Sequence, residues 1–167
     1  MPFAADTLPV LNHARELLAE RGMALLGAWA LLNLLVSGYH ATRTDPRTEA
    51  HYFHQMNVGW NFVNALLAVW GLLRANPQHV AGLGLPESLA AQFTFEKILL
   101  VNAGLDVAYV CVGGWLRARA AATAHRPERL LGFGRSLWLQ GGFLLVFDAG
   151  LYLLYHQYAA ALLALVG

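Results

Sequence analysis

Charge is what this sequence has least of. Asp, Glu, Lys and Arg make up 13% of its 167 residues, where a soluble domain carries about 25%. With 57% apolar residues and a net charge of +1, the chain is not a disordered segment, a coiled coil or a polyanion-binding module. No nucleic-acid partner is expected. Cysteine is nearly absent: the single Cys111 cannot close an intrachain disulfide, so it says nothing of the redox compartment. Among apolar neighbours it reads as a small hydrophobe and not as a reactive thiol. The opening Met1-Pro-Phe-Ala-Ala-Asp6 lacks the basic stretch of a signal peptide, and the first long apolar run is too long for one, so no cleavage is expected. No segment alternates like a barrel strand. Walker loops, nucleophile elbows, CxxC and HExxH are missing, which leaves no recognisable catalytic motif.

What is present is length without charge. Arg21 and Arg43 bracket 21 residues free of formal charge, Glu49 and Arg74 bracket 24, and Lys97 and Arg117 bracket 19 apart from Asp106. After Arg135 follow 32 residues with one charge, Asp148. A spanning helix needs about 20 apolar residues. The sequence thus predicts an all-α, polytopic integral membrane protein of one domain, with spans near 22–42, 53–73, 98–116 and 136–158. Asp45-Pro46 breaks the first connection, while Pro77, Gly82, Gly84 and Pro86 punctuate the second. Short connections make neighbours antiparallel, hence an up-down four-helix bundle. Thirty-two residues as one helix would outrun the ~30 Å hydrocarbon core, so the last span is expected to be long and to project.

Two short helices are expected outside the spans. Val10, Leu11, Ala14, Leu17 and Leu18 recur at helical spacing opposite Arg15, Glu16 and Glu20, an amphipathic N-terminal lead-in at the interface or a solvated first turn of span one. Pro86-Glu87-Ser88 reads as the start of a short surface helix between spans two and three. The first and third connections hold seven Lys and Arg and the opposite side four. The positive-inside rule then places the protein in the plasma (inner) membrane with both termini outside and the Arg-rich stretches 43–49 and 117–135 in the cytoplasm. A faint repeat, Ser37-Gly38-Tyr39…Arg43 against Gly113-Gly114-Trp115…Arg119, suggests a duplicated hairpin or convergent aromatic-plus-Arg helix ends.

The polar residues inside the spans carry the chemistry. Asn33, Asn61 and Asn64, Asp106 and Asp148 all fall near the middle of their runs, and each extends into a stripe at i, i+4, i+7 spacing. The stripes are Asn33-Ser37-His40 after Trp29, Asn57-Asn61-Asn64, Asn102-Asp106-Tyr109, and Asp148-Tyr152-Tyr155 with Gln140 before it. Lipid offers these groups no hydrogen bonds, so the stripes should meet inside the bundle. Two carboxyls there without Lys or Arg at their depth should hold a proton or pair with a cation.

The leading expectation is therefore binding or permeation of a proton, small cation or polar solute at Asp106 and Asp148. Asn33, Asn61, Asn64, Asn102, Tyr109 and Tyr152 would complete that site. One rival is a non-catalytic membrane scaffold or accessory subunit whose buried amides only hold helices together. Another is a metal or cofactor site, hence a membrane enzyme, built from His40, His51, His54 and Glu49, though two-His spacing is weak and no cofactor is expected by default. Beyond the bilayer, a homodimer is a possible partner: Ala24 and Ala28, Gly104 and Ala108, Gly113-Gly114 and Gly141-Gly142 have the small-residue spacing of membrane helix contacts.

Overall fold

The computed structural model describes residues 3–75, 80–122 and 125–166. Four helices occupy them: α1 (Phe3–Ala41), α2 (Glu49–Arg74), α3 (Leu85–Ala121) and α4 (Pro127–Leu163). Each is long and apolar enough to cross a membrane. Their starts follow from local chemistry. Thr48 caps α2 by accepting a hydrogen bond from the backbone N–H of His51, and Pro86 and Pro127 sit in the first turns of α3 and α4.

The two short extra helices are not separate. The N-terminal lead-in is continuous with the rest of α1, as the second of the two readings had it, but its Arg15 is buried while Glu16 and Glu20 are half-buried like Leu11, Leu17 and Leu18. Asn12 and Arg15 are fully buried whereas Val10 is 66% exposed. Asn12 and Arg15 turn inward because the start of α3 offers them partners (described below) that an interface would not supply. Likewise the proline-led start near Pro86 opens α3 itself, which runs unbroken to Ala121. Lys97 had marked the edge of a span, yet it lies within this helix. The last span is one continuous helix of 37 residues, as its uncharged length implied.

Packing centres on α4, which lies against α3 along most of its length, against α2, and less extensively against α1. Its buried positions Leu137, Gly141, Leu144, Asp148, Leu151, Tyr155, Ala159 and Leu162 recur at steps of three and four residues, the seam of a left-handed bundle. The α1–α2 pair forms the other hairpin, and α2 and α3 make almost no direct contact. Outward positions are apolar, with Leu73 82% and Val146 75% exposed, while Asn, Ser, Gln, Glu and Asp side chains fill the interior. That is the inverse of a water-soluble protein.

Close approach is secured by glycine at the cytoplasm-proximal end of the expected topology. A Cβ on Gly132 would lie 2.5 Å from the Glu49 carbonyl, and one on Gly134 2.7 Å from the Gly113 carbonyl. Backbone cannot yield as a flexible side chain can, so these positions admit no larger residue. Gly104 and Gly142, by contrast, have nothing within 4 Å of the added carbon. Gly132→Ala should therefore destabilise the fold by about 1–3 kcal/mol through overpacking, whereas Gly142→Ala should leave it unchanged or raise it by up to about 1 kcal/mol through helix propensity. Thermal unfolding of both variants in detergent measures the contrast.

Candidate functional site

Two polar layers cross the bundle, and they differ in how completely their groups are satisfied. The first joins α1, α2 and α4. Trp29 Nε1 donates to Gln140 Oε1 at 3.0 Å, Gln140 Nε2 donates to Asn57 Oδ1 at 3.2 Å and Asn33 Oδ1 at 3.5 Å, and Ser136 Oγ donates to Asn57 Oδ1 at 2.6 Å. Asn33 Nδ2 closes on the Trp29 carbonyl at 2.9 Å. Ser37 Oγ accepts from Asn57 Nδ2 at 3.4 Å and shares a hydrogen bond of 3.2 Å with His54 Nδ1. Phe143 stacks on Trp29 at 3.9 Å between ring centroids and covers the layer. The layer is a closed plug.

The second layer is the floor of a cavity of about 750 Å³ between the helices. Asp106 on α3 and Asp148 on α4 are both buried and both line this cavity. Asn64 and Trp60 of α2 and Asn102 and Tyr109 of α3 complete the floor. The Trp60 and Tyr109 rings meet edge to face at 4.7 Å. Three buried polar atoms on this floor have no hydrogen-bond partner among the described residues: Asp106 Oδ2, Asn64 Nδ2 and Trp60 Nε1. Buried polar groups are nearly always satisfied; these three are exceptions, as are Arg15 Nε, Asn61 Oδ1 and Gln92 Oε1 elsewhere in the interior.

Of the residues expected at the site, Asp106, Asp148, Asn64, Asn102 and Tyr109 line the cavity. Asn33 belongs to the closed layer, and Asn61, whose Nδ2 donates to the Asn57 carbonyl at 2.8 Å, stands between the two. Tyr152 does neither: its ring stacks on His156 at 5.4 Å. Steps of three and four residues both stay on a helix face, and here the step of three is taken. Leu151 fills the space over Gly22, where the absence of a side chain admits it, and Tyr155 lines the cavity. Sequence reasoning placed Trp29, Ser37, Asn57 and Gln140 on the inward stripes without joining them, and it missed Ser136.

It also missed a third polar cluster. Arg15 donates to the Ser88 carbonyl at 2.7 Å and to Ser88 Oγ at 3.2 Å; Ser88 Oγ donates to Asn12, whose Nδ2 donates to the Leu83 carbonyl at 3.2 Å. One turn further on, Gln92 Nε2 bonds Glu96 Oε1 at 2.8 Å and the Tyr155 carbonyl at 2.9 Å, while His156 Nδ1 lies 3.0 Å from Glu96 Oε1. The i, i+4, i+8 spacing of Ser88, Gln92 and Glu96 was the available signal.

The histidine constellation does not assemble. His51 is bonded to Thr44 at 3.3 Å and Glu49 lies 3.8 Å from Arg135, while His40 and His54 stack face to face at 4.8 Å. Stacked rings present faces, not nitrogens, to each other. Among the described residues no three His, Cys, Asp or Glu side chains converge as a metal ion requires.

The two layers respond oppositely to truncation. Asn57→Ala strands the Ser136 hydroxyl and the Gln140 amide and should cost about 1–3 kcal/mol for each group left unpaired. Asn64→Leu removes an amide nitrogen that has no partner and should raise the thermal unfolding temperature or leave it unchanged. A fall for Asn64→Leu as large as for Asn57→Ala would refute the distinction between the layers.

No curated protein and no solved structure matches this chain. A family model does match residues 25–149, three-quarters of the sequence, from mid-α1 through the amide layer and both aspartates. The chain therefore belongs to the family of unknown function DUF6992.

Proposed function

We propose that this chain is a multi-pass plasma (inner) membrane protein that binds a small hydrogen-bonding solute, and a proton with it, at the Asp106–Asp148 pair. One observation carries the reading: two buried carboxyls lie at the inner end of a large cavity, and residues 98–116 and 136–167 contain no Lys or Arg to neutralise them. Two carboxyls buried at one end of a cavity with no Lys or Arg on their own spans are costly to ionise together, so in this reading the pair shares a proton. A small cation could replace that proton in the same place.

The closed amide layer favours binding over permeation. Its side chains already bond one another across the section that a solute would have to cross. The scaffold reading suits that layer well, because its groups satisfy one another. It does not suit the floor, whose groups do not. Orientation with both termini outside is supported by the Lys and Arg count; interface-like pairs occur at both ends, Arg74 over Trp70 at one and five at the Arg-rich end. There guanidinium groups lie over aromatic rings in the pairs Arg43–Tyr39, Arg117–Trp138, Arg119–Trp115, Arg129–Phe133 and Arg135–Phe53, as side chains at a membrane interface do. Ala24, Ala28, Gly104 and Ala108 all face outward, leaving shallow surfaces against which a second copy would pack.

The shared proton is directly observable. Infrared spectra of the purified protein at neutral pH should contain a protonated-carboxyl band that shifts in heavy water. Both Asp106→Asn and Asp148→Asn should abolish it, since the remaining carboxylate no longer shares a proton with a second one. A spectrum without the band, or a band surviving in both variants, would overturn the assignment.

A further inference from the structure

Positive charge is gathered at one end of the molecule. Residues 117–135 hold five Arg and one Glu, a net charge of +4 in a chain whose total is +1. The positive-inside rule accounts for their number and not for their placement. Arg119 from the last turn of α3, Arg126 from the connection and Arg129 from the first turn of α4 line one hollow of about 440 Å³, together with His125, Leu130 and Phe133. All three arginines are exposed. Among the described residues none of them has a carboxylate within ion-pair distance, whereas Arg135 has Glu49 at 3.8 Å. Glu128, the one acid of the stretch, does not line the hollow. A cleft lined by charge of one sign concentrates its field and draws a counter-ion. The start of α4 adds the positive end of a helix dipole.

Arg126 is held there against its backbone preference. It alone among the described non-glycine residues has a left-handed conformation, φ 50° and ψ 54°, which a bulky side chain adopts at a cost that glycine escapes. Its side chain makes no capping hydrogen bond to α4. Neither the turn nor the helix start requires arginine here, so what the position supplies is the guanidinium.

The surroundings of the hollow select the anion. Arg119 lies over Trp115 at 5.6 Å and Arg129 over Phe133 at 5.3 Å, an arrangement that sets charge at the boundary between apolar and aqueous phases. Val112, Trp115 and Arg119 follow one another at steps of three and four residues on one face of α3, with Val112 45% and Trp115 58% exposed. That face leads from the hollow onto the surface that acyl chains would cover. Guanidinium forks pair with phosphate oxygens two at a time. An anion with its charge on a phosphate and an acyl tail beside it meets both features, and a free anion meets only the first.

We propose that Arg119, Arg126 and Arg129 form a binding site for the phosphate of an acidic phospholipid, whose acyl chains lie along Val112 and Trp115. The site shares no residue with the cavity of the acid pair and does not depend on what that pair binds.

Native mass spectrometry of the full chain, titrated with lipid in detergent, tests it. One phosphatidylglycerol should bind at least about tenfold more tightly than phosphatidylcholine, whose choline offsets the phosphate charge. Arg126→Gln and Arg129→Gln should each weaken it by at least about tenfold, the worth of a charge-assisted hydrogen bond. Arg47→Gln, the same charge change in the α1–α2 connection, should alter it by less than about twofold. Arg126→Gly should weaken binding as Arg126→Gln does, yet leave the unfolding temperature of the lipid-free protein unchanged or higher, because the left-handed strain is relieved. Equal retention of both lipids, equal weakening by Arg47→Gln, full affinity in Arg126→Gly, or displacement of phosphatidylglycerol by excess inorganic phosphate would overturn the proposal.

Discussion

Every buried amide, hydroxyl and carboxyl in this bundle faces the same constraint: with an apolar exterior on all sides, its hydrogen bonds must come from within the bundle. Asn57 shows how far the constraint reaches. Its side chain bonds Ser37 on α1 and both Ser136 and Gln140 on α4, and its carbonyl receives Asn61. Apolar side chains could pack in many registers, but these distances are met in one. The amide layer fixes the relative rotation of three helices and so decides which residues of α3 and α4 meet further along.

That register is what makes the floor unusual. The glycine contacts at Gly113, Gly134 and Gly141 draw α3 onto α4, and Gly141 places its backbone beside the Asp106 carbonyl. With α2 held to α4 at the amide layer and α3 held to α4 by glycine, α2 and α3 are left apart. The cavity is the consequence of that geometry. Across the gap the Trp60 and Tyr109 rings meet, while Asp106 Oδ2, Asn64 Nδ2 and Trp60 Nε1 stay without partners.

The outer end shows a different solution. Arg15 and Glu96 lie in the interior, yet each has close partners: Ser88 for the guanidinium, Gln92 and His156 for the carboxylate. Isolated buried charges are too costly to persist, and hydrogen-bonded ones are tolerated. These contacts tie the first turns of α1 to the start of α3 and hold the roof of the cavity. They also explain why Asn12 and Arg15, within the amphipathic stretch Val10–Leu18, are buried. An amphipathic pattern states that one side is polar; it does not state which side faces protein. In water the polar side turns out. Here Asn12 and Arg15 turn in.

Composition and periodicity alone determined the four helices, their apolar exteriors and the inward turn of the asparagine and aspartate stripes, because each is a property of a single helix set by local spacing and by the cost of polar groups in an apolar medium. Tertiary packing decided the rest. Which of Leu151 and Tyr152 faced inward depended on Gly22 in another helix, and the union of Trp29, Asn57, Ser136 and Gln140 depended on three helix rotations at once. The gap between α2 and α3 depended on where glycine allowed contact and where it did not. Relations of that kind belong to pairs of helices, and no single helix's residue pattern records them.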